Sequence, residues 1–364
     1  MEELRIPGPT PCPDEVLQAM TKQMINHRGE EFIEILDGVT GKLKQLFQTN
    51  NDVFLLTGSG TGGLEAAIVN TLSPGDRVLS VSIGVFGERF ATIAQRFGAE
   101  VISLRFEWGK AADAGAVRQA LQADSKIKAV MVTHNETSTG VTNDLASISS
   151  VVKEFDKLLL VDAISSLSSI DLPVDEWHCD VVVTGSQKGW MVPPGLAMVS
   201  VSQEAWQAHV DAKMPRFYWD FAQAKNYLER GQTPWTPAVS IVFALSVSLE
   251  MMLKEGLPNV IARHARVGRA AREGVKSLGL PLFAEEKYVS NTVTAVSSSD
   301  GLDTKKLLRI LREEHHIVLG GGQQKLDGKI FRIGHLGWVT EIDIETVMSA
   351  LKVALPQAGF VVVK

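Results

Sequence analysis

The sequence predicts an α/β protein: a mostly parallel sheet with helices on both faces, followed by a smaller α+β portion at the C-terminal end. Three observations carry that prediction. From about residue 53, short apolar runs alternate with longer amphipathic ones. Some of the short runs, such as Val181 to Val183, are apolar throughout, which suits strands covered on both faces. After about residue 240 the texture changes to long helices and then to a shorter mixture of strand and helix.

The first strand of the large sheet is "VFLLT" from Val53, and a helical stretch from about 62 to 73 comes after it. "RVLSVS" from Arg77 precedes "FGERFATIAQRFG", whose apolar residues at 86, 90, 93, 94 and 97 keep the helix period. "EVISL" from Glu100, "KAVMVT" from Lys128 and "KLLLVD" from Lys157 are further strands separated by helical segments. "DVVVTG" from Asp180 and "LAMVSVS" from Leu196 complete the set. Helices are expected at 239–255 and 258–278, strands near 292 and 330, and a helix at 340–354. The expected organisation is an N-terminal segment (1–20) packing near the small lobe, a large domain (21–255) and a small C-terminal domain (256–364).

Composition narrows the function classes. The chain has 364 residues, 45% of them hydrophobic and 21% charged, which is ordinary for a globular protein. The formal charge is −6 without runs of like charge, so the basic footprint of a nucleic-acid binder is missing. The longest apolar stretches, such as "IVFALSV" from Ile241, are too short to span a bilayer. The start, "MEELRIPGPTP", shows neither the basic residues nor the apolar segment of a signal peptide. Two cysteines, Cys12 and Cys179, do not make a disulfide framework. A cytoplasmic protein is expected. His134, His178 and His335 lack metal-ligand spacing, and no metal is expected.

In open α/β sheets the chemistry lies beyond the carboxyl ends of the strands. "TGSGTGG" (57–63) joins a strand to a helix there, and its glycines with Ser59 and Thr61 suit either a phosphate cradle or a plain capped turn. Asp162 closes "KLLLVD", where a carboxylate needs a partner or caps a neighbouring loop. Lys188, in "VVVTGSQKGWMVPPG", is a cation at the mouth of a buried sheet, or a side chain reaching out to water. "THNETSTG" (133–140) supplies polar groups, Phe86 reads most simply as core, and Arg332 in "FRIGHLG" could face solvent by strand alternation. Taken together, a phosphate cradle, a strand-end carboxylate and a strand-end lysine are the parts that hold pyridoxal phosphate. The lysine forms a Schiff base, the carboxylate keeps the pyridine nitrogen protonated, and an arginine takes a substrate carboxylate.

With these residues in place, the chain resembles the class V aminotransferases among the fold-type I pyridoxal-phosphate enzymes, in particular the alanine/serine–glyoxylate (serine–pyruvate) branch. The resemblance runs through "PGPTPCP", "NHRGEEF", "SGTGGLEAAIVNTLSPGD", "HNETSTGV", "LLLVDAISSLS", "GSQKGWMVPPGLAM", "QTPWTPAVS" and "FRIGHLG". It implies a homodimer with shared sites, small amino acid and 2-oxo acid substrates, and pyridoxal 5'-phosphate as cofactor. It implies that Lys188 binds the cofactor aldehyde and shuttles the substrate proton, and that Asp162 pairs with the pyridine nitrogen. Ile164 and Phe86 then lie on the two ring faces, and Ser59, Gly60, Thr61 and Gln187 serve the phosphate, with Thr236 and Thr233 reaching across from the partner chain. Thr137 lies near the cofactor hydroxyl and substrate, and Arg332 with the backbone of Gly8 receives the substrate carboxylate. Phe86 stands where Trp is frequent, Thr61 where some members have His, and Thr233 where some have Tyr. The implied reaction moves the amino group of serine or alanine to glyoxylate or pyruvate; aspartate, ureidoglycine or an aminophosphonate is the alternative donor. A desulfurase-like lyase needs a nucleophilic cysteine on a mobile loop, which neither Cys12 nor Cys179 suits. A redox-complex subunit would lack the four usual cluster ligands, and a regulatory pyridoxal-binding protein would lack a DNA-binding segment.

Overall fold

The computed structural model describes residues 2–299 and 301–360. Its strands are β1 (Glu3–Arg5), β2 (Asp52–Thr57), β3 (Arg77–Ser82), β4 (Glu100–Arg105), β5 (Ile127–Thr133), β6 (Asn135–Glu136), β7 (Val141–Thr142), β8 (Leu158–Asp162), β9 (Val181–Gly185), β10 (Leu196–Val201), β11 (Val293–Ser297), β12 (Ile317–Gly321) and β13 (Ile330–Gly334). Seven of them form one sheet in the order β2-β10-β9-β8-β5-β3-β4. The run from β9 to β4 is parallel, and β10 lies antiparallel to both β9 and β2. The reversal has a simple cause. Residues 186–195 form no helix, and a parallel return needs a crossover of roughly a dozen residues or more.

Both faces of this sheet are covered, which is why its strands read as apolar runs. Leu79, Val130, Val132, Leu159, Val161 and Val182 point into one core layer. Val78, Ala129, Met131, Leu160, Val181 and Val183 alternate into the other. The helix expected at 62–73 spans Gly60–Thr71, because the glycines of its first turn are already helical. The helix expected at 340–354 spans Glu341–Gln357 and starts at a capping box between Thr340 and Asp343. The long helices Val239–Glu255 and Leu257–Ser277 are separated by Gly256, whose φ of 85° an L side chain rarely adopts.

The second sheet, β1-β12-β13-β11, belongs to the C-terminal lobe except for its first strand. β1 pairs in parallel with β12, so the start of the chain is stitched into the far lobe. From there Pro7 to Thr10 cross to the large sheet, where the Thr10 N–H donates to the Gln187 carbonyl at 3.1 Å. The helices Asp14–Ala19 and Glu30–Phe47 then pack on Val239–Glu255. Among the described residues, no helix is long and apolar enough to cross a membrane.

Candidate active site

Five loops meet at the carboxyl end of the large sheet. The turn after β9 carries Lys188, and Trp190, two residues further along, anchors it. Trp190 is fully buried, stacks on Phe47 with centroids 5.7 Å apart, and donates its indole N–H to Thr184 Oγ1 at 2.9 Å. The Lys188 carbonyl accepts from Thr10 Oγ1 and from the Met191 N–H, both at 3.1 Å. The lysine is therefore held inward, and its Nζ donates to the Pro7 carbonyl. Gly8, at φ 114°, lies directly against it: a Cβ there would sit 2.6 Å from Lys188 Nζ. Burial and the Arg332 charge lower the Lys188 pKa to about 8, against the pull of Asp162. The cation at the sheet mouth is thus an amine whose pKa is brought down close to the physiological range. It does not reach out to solvent.

Asp162 ends β8 and is 3% exposed, with one backbone donor, the Ile164 N–H at 3.0 Å. Burial pushes its carboxyl up to about 7, the Ile164 N–H pulls it down, and the nearby Glu136 adds to the rise. Ile164 turns back onto the helix after β2, where a Cβ on Gly60 would be 2.5 Å from its Cδ1. That helix begins at Ser59 without a side-chain cap. Among the described residues the N–H groups of Gly60, Thr61 and Gly62 have no hydrogen-bond partner. Gln187 Oε1 is likewise buried without a partner.

Arg332 does not face solvent as strand alternation would allow. It is 6% exposed, and β13 turns it toward the large domain. Its Nε donates to the Gly321 carbonyl at 2.9 Å, and one terminal nitrogen donates to the Thr137 carbonyl at 3.0 Å and to Gln323 Oε1 at 3.4 Å. Among the described residues it has no carboxylate in an ion pair, and burial lowers its pKa to about 10. Thr137 is buried beside it and donates its hydroxyl to Ser165 Oγ at 2.8 Å.

Phe86 opens the helix Val85–Arg96 and is half-buried, with the exposed Arg89 guanidinium 4.7 Å from its ring centroid. Thr233 and Thr236 stand on a separate loop. The Thr233 hydroxyl donates to the Trp235 carbonyl at 2.7 Å, and Thr236 is exposed. Arg28, from "NHRGEEF", holds this loop through Gln232 Oε1 at 2.7 Å and the Thr233 carbonyl at 2.9 Å. Sequence reasoning missed Arg28, Arg89, Glu136 and Trp219, whose ring lies 2.8 Å from where a Cβ of Gly58 would be. Only Glu136 carried a local signal, as a charge inside an otherwise uncharged turn. The thiols are poor nucleophiles here. Burial raises Cys12 to about 11 and pushes the buried Cys179 up further. Among the described residues, no group of three or more His, Cys, Asp and Glu could hold a metal ion.

A half-buried lysine, a buried carboxylate and an uncapped glycine-rich helix start are gathered at the carboxyl end of the sheet, where α/β folds carry their chemistry. The comparisons sharpen this. Residues 4–330 match the family described as aminotransferase class-V. The chain is 46% identical over 98% of its length to the soluble hydrogenase 42 kDa subunit of Anabaena cylindrica, covering 94% of that protein. It is 40% identical to the L-aspartate–glyoxylate aminotransferase of Paracoccus denitrificans over 92% of this chain and 86% of that one. The crystal structure of alanine–glyoxylate aminotransferase from Nostoc sp. superposes with a TM-score of 0.94 at 32% identity, over 97% of this chain and 95% of the other. The chain belongs to the class V aminotransferases, a family of pyridoxal-phosphate-dependent enzymes, and it is an aminotransferase.

Proposed function

We propose that this chain binds pyridoxal 5'-phosphate and transfers the amino group of a small amino acid, serine or alanine, to glyoxylate or pyruvate. The observation that carries the reading is the set of groups left without a full complement of partners in one place. Among the described residues these are three helix-end N–H groups, the side-chain amide of Gln187, whose Oε1 is buried without a partner, and a buried guanidinium that has hydrogen bonds but no carboxylate. They fit a ligand with a phosphate at one end and a substrate carboxylate at the other. Ser59, Gly60, Thr61 and Gln187 would hold the phosphate. Phe86 and Ile164 would flank the ring, Asp162 would face its nitrogen, and Thr137 would lie beside its hydroxyl. Gly8 leaves room at Lys188 and, with Arg332, receives the substrate carboxylate.

When bound, the cofactor supplies an aldehyde for amines and a ring that accepts electrons from the substrate α-carbon. Lys188 does the proton work. With its pKa near 8 the amine is partly neutral at physiological pH, so Nζ could take the α-proton and return it at the carbon of the cofactor aldehyde, two atoms away. Asp162, ionised opposite a protonated ring nitrogen, keeps that nitrogen charged. The expected kinetics are ping-pong.

Support for a homodimer comes from the exposed Phe217 (75% exposed) and Tyr218, packed on the half-buried Trp235 of the Thr233–Thr236 loop. Thr233 and Thr236 then complete a partner's site. A cytoplasmic location accords with two unpaired cysteines. A second donor, aspartate, is favoured by Arg89, an exposed cation whose charge reaches both Lys188 and Asp162. It is also the substrate in the name of one relative.

Lys188→Ala tests the assignment. The purified wild-type protein should show the visible absorption of a lysine-linked cofactor and transaminate in a donor-by-acceptor panel. The variant should lose that absorption and essentially all turnover. Full turnover in the variant would remove Lys188 from the chemistry.

A further inference from the structure

A buried carboxylate that the reaction does not use stands behind Phe86. Glu136 is fully buried on β6, in a two-stranded hairpin with β7. Every hydrogen bond it makes there is accepted. Glu136 Oε2 accepts from the N–H groups of Phe86 and Gly87, each at 3.1 Å. Oε1 accepts from the Ser138 N–H at 3.1 Å and from the Ser138 hydroxyl at 2.5 Å. The same hydroxyl accepts from the Val85 N–H at 3.0 Å. Burial raises the Glu136 pKa overall and the four donors offset only part of that rise, while the geometry offers its oxygens donors on every side.

The helix Val85–Arg96 has Gly84 at its N-cap, a residue without a side chain to cap anything. Its three unpaired N–H groups belong to Val85, Phe86 and Gly87, and the turn 136–138 satisfies all three from a distant part of the chain. Gly84 is what permits the approach: a Cβ there would lie 2.4 Å from Glu136 Cγ and 2.5 Å from Ser138 Oγ. One residue further, the Thr137 carbonyl accepts from Arg332. The turn that fixes the helix carrying Phe86 therefore also braces the arginine.

We infer that Glu136 is a positioning residue for transamination: its carboxylate, acting as a borrowed N-cap, fixes the Phe86 turn over the cofactor ring. The inference rests on the function proposed above. It gives Glu136 no contact with substrate or cofactor, and its effect runs through Phe86.

The test is Glu136→Gln, in the otherwise wild-type protein and in a Phe86→Ala background. An amide side chain keeps the volume but turns an NH2 group toward donors. In the cofactor-free protein, hydrogen exchange at the Phe86 and Gly87 amides should quicken by about tenfold, the size expected for a lost cap. Pyridoxal-phosphate affinity should fall by a similar ~10-fold in the single variant. It should change by less than about twofold when Phe86 is already alanine, because the two residues act through one contact. At saturating cofactor, the visible circular dichroism per bound cofactor should drop in Glu136→Gln, which a loss of overall stability alone does not produce. Unchanged exchange at both amides, or losses that multiply in the double variant, would overturn the inference. If Glu136→Gln does not fold, Ser138→Ala removes one donor and one acceptor of the same turn and is read by the same exchange and affinity measurements. A wild-type protein without transaminase activity would sink the proposed function, while the exchange measurement would still decide whether Glu136 holds the Phe86 turn.

Discussion

Two helices start within the same site, and their first turns are finished in opposite ways. At Val85 the three N–H groups that the helix leaves without internal partners are closed off by Ser138 and Glu136, so the positive end of that helix already faces the Glu136 carboxyl group. At Gly60 the N-cap Ser59 makes no side-chain cap, and the corresponding N–H groups have no protein partner among the described residues. The contrast extends to the charged side chains. Glu136 accepts from four donors, whereas Asp162 has one backbone donor and Arg332 has no carboxylate. The N–H groups behind Phe86 are all satisfied as folded; those at Gly60 have no protein partner among the described residues. Groups on the open side should therefore govern ligand affinity and pH response, and groups on the closed side should govern order.

The largest expected effect concerns the open carboxylate. Asp162 has its pKa raised to about 7 by burial, whereas an unfolded aspartate titrates near 3.9. The folded, cofactor-free protein then holds the extra proton between those values. Its stabilising contribution is complete below about pH 4 and is lost as pH rises through 7, by up to roughly 4 kcal/mol. Lys188 acts in a separate window, because its amine is lowered to about 8, so stability recovers between about pH 8 and 10.5. The buried His134, His264 and His335, lowered to about 4, 3 and 3, raise stability with pH in the same range, so the Asp162 contribution is read as a difference. In urea denaturation from pH 4.5 to 7.5, the stability of wild type minus that of Asp162→Asn should fall as pH rises. A difference that stays constant across this range would assign no titration to Asp162.

Next in size is a substitution that makes the open helix end resemble the closed one. Thr61→Asp places a carboxylate where the phosphate is expected. At an effective dielectric of about 20, like charges some 4 Å apart repel by about 4 kcal/mol, and partial exposure reduces this. Pyridoxal-phosphate affinity should fall by about a hundredfold, while affinity for pyridoxal without the phosphate should hardly change. Equal losses for both ligands would show that Thr61 is not at the phosphate.

Arg332→Lys should have the smallest effect of the three. A lysine keeps the charge but not the planar pair of donors that a carboxylate accepts. Losing one hydrogen bond to a charged group corresponds to about a tenfold or larger fall in kcat/KM for every amino acid and 2-oxo acid. An amine substrate without a carboxylate should be nearly indifferent, and the lysine-linked absorption should persist. Loss of the cofactor in this variant would contradict the role.

The open side is also the side that could be read from the sequence. Lys188, Asp162 and the Ser59–Thr61 turn stand out because each is a polar group at the end of an apolar strand, although each taken alone also fits a side chain reaching water, a loop cap or a plain capped turn. Glu136 could not be assigned in this way: besides Ser138, its partners are backbone N–H groups some fifty residues away in sequence, and a backbone donor leaves no trace in residue type. Arg332 was ambiguous for a related reason. Alternation gives a strand two faces but does not say which face a second domain covers, and here the Thr137 turn covers the arginine's. The crossing of Pro7 and Gly8 over Lys188 likewise depends on β1 pairing with β12, a contact between the two ends of the chain. The antiparallel direction of β10 was implicit in its short connection, whereas the two-residue strands β6 and β7 are too brief to show any period.

The most direct measurement is residue-resolved hydrogen exchange on the wild-type protein, with and without pyridoxal phosphate. The account predicts that the amides of Gly60, Thr61 and Gly62 exchange quickly in the cofactor-free protein and slowly in the loaded one. The amides of Val85, Phe86 and Gly87 should be slow in both. If the lysine-linked absorption appears on loading while Gly60 to Gly62 stay unprotected, or if protection develops at Val85 to Gly87 instead, the open and closed ends have been assigned the wrong way round.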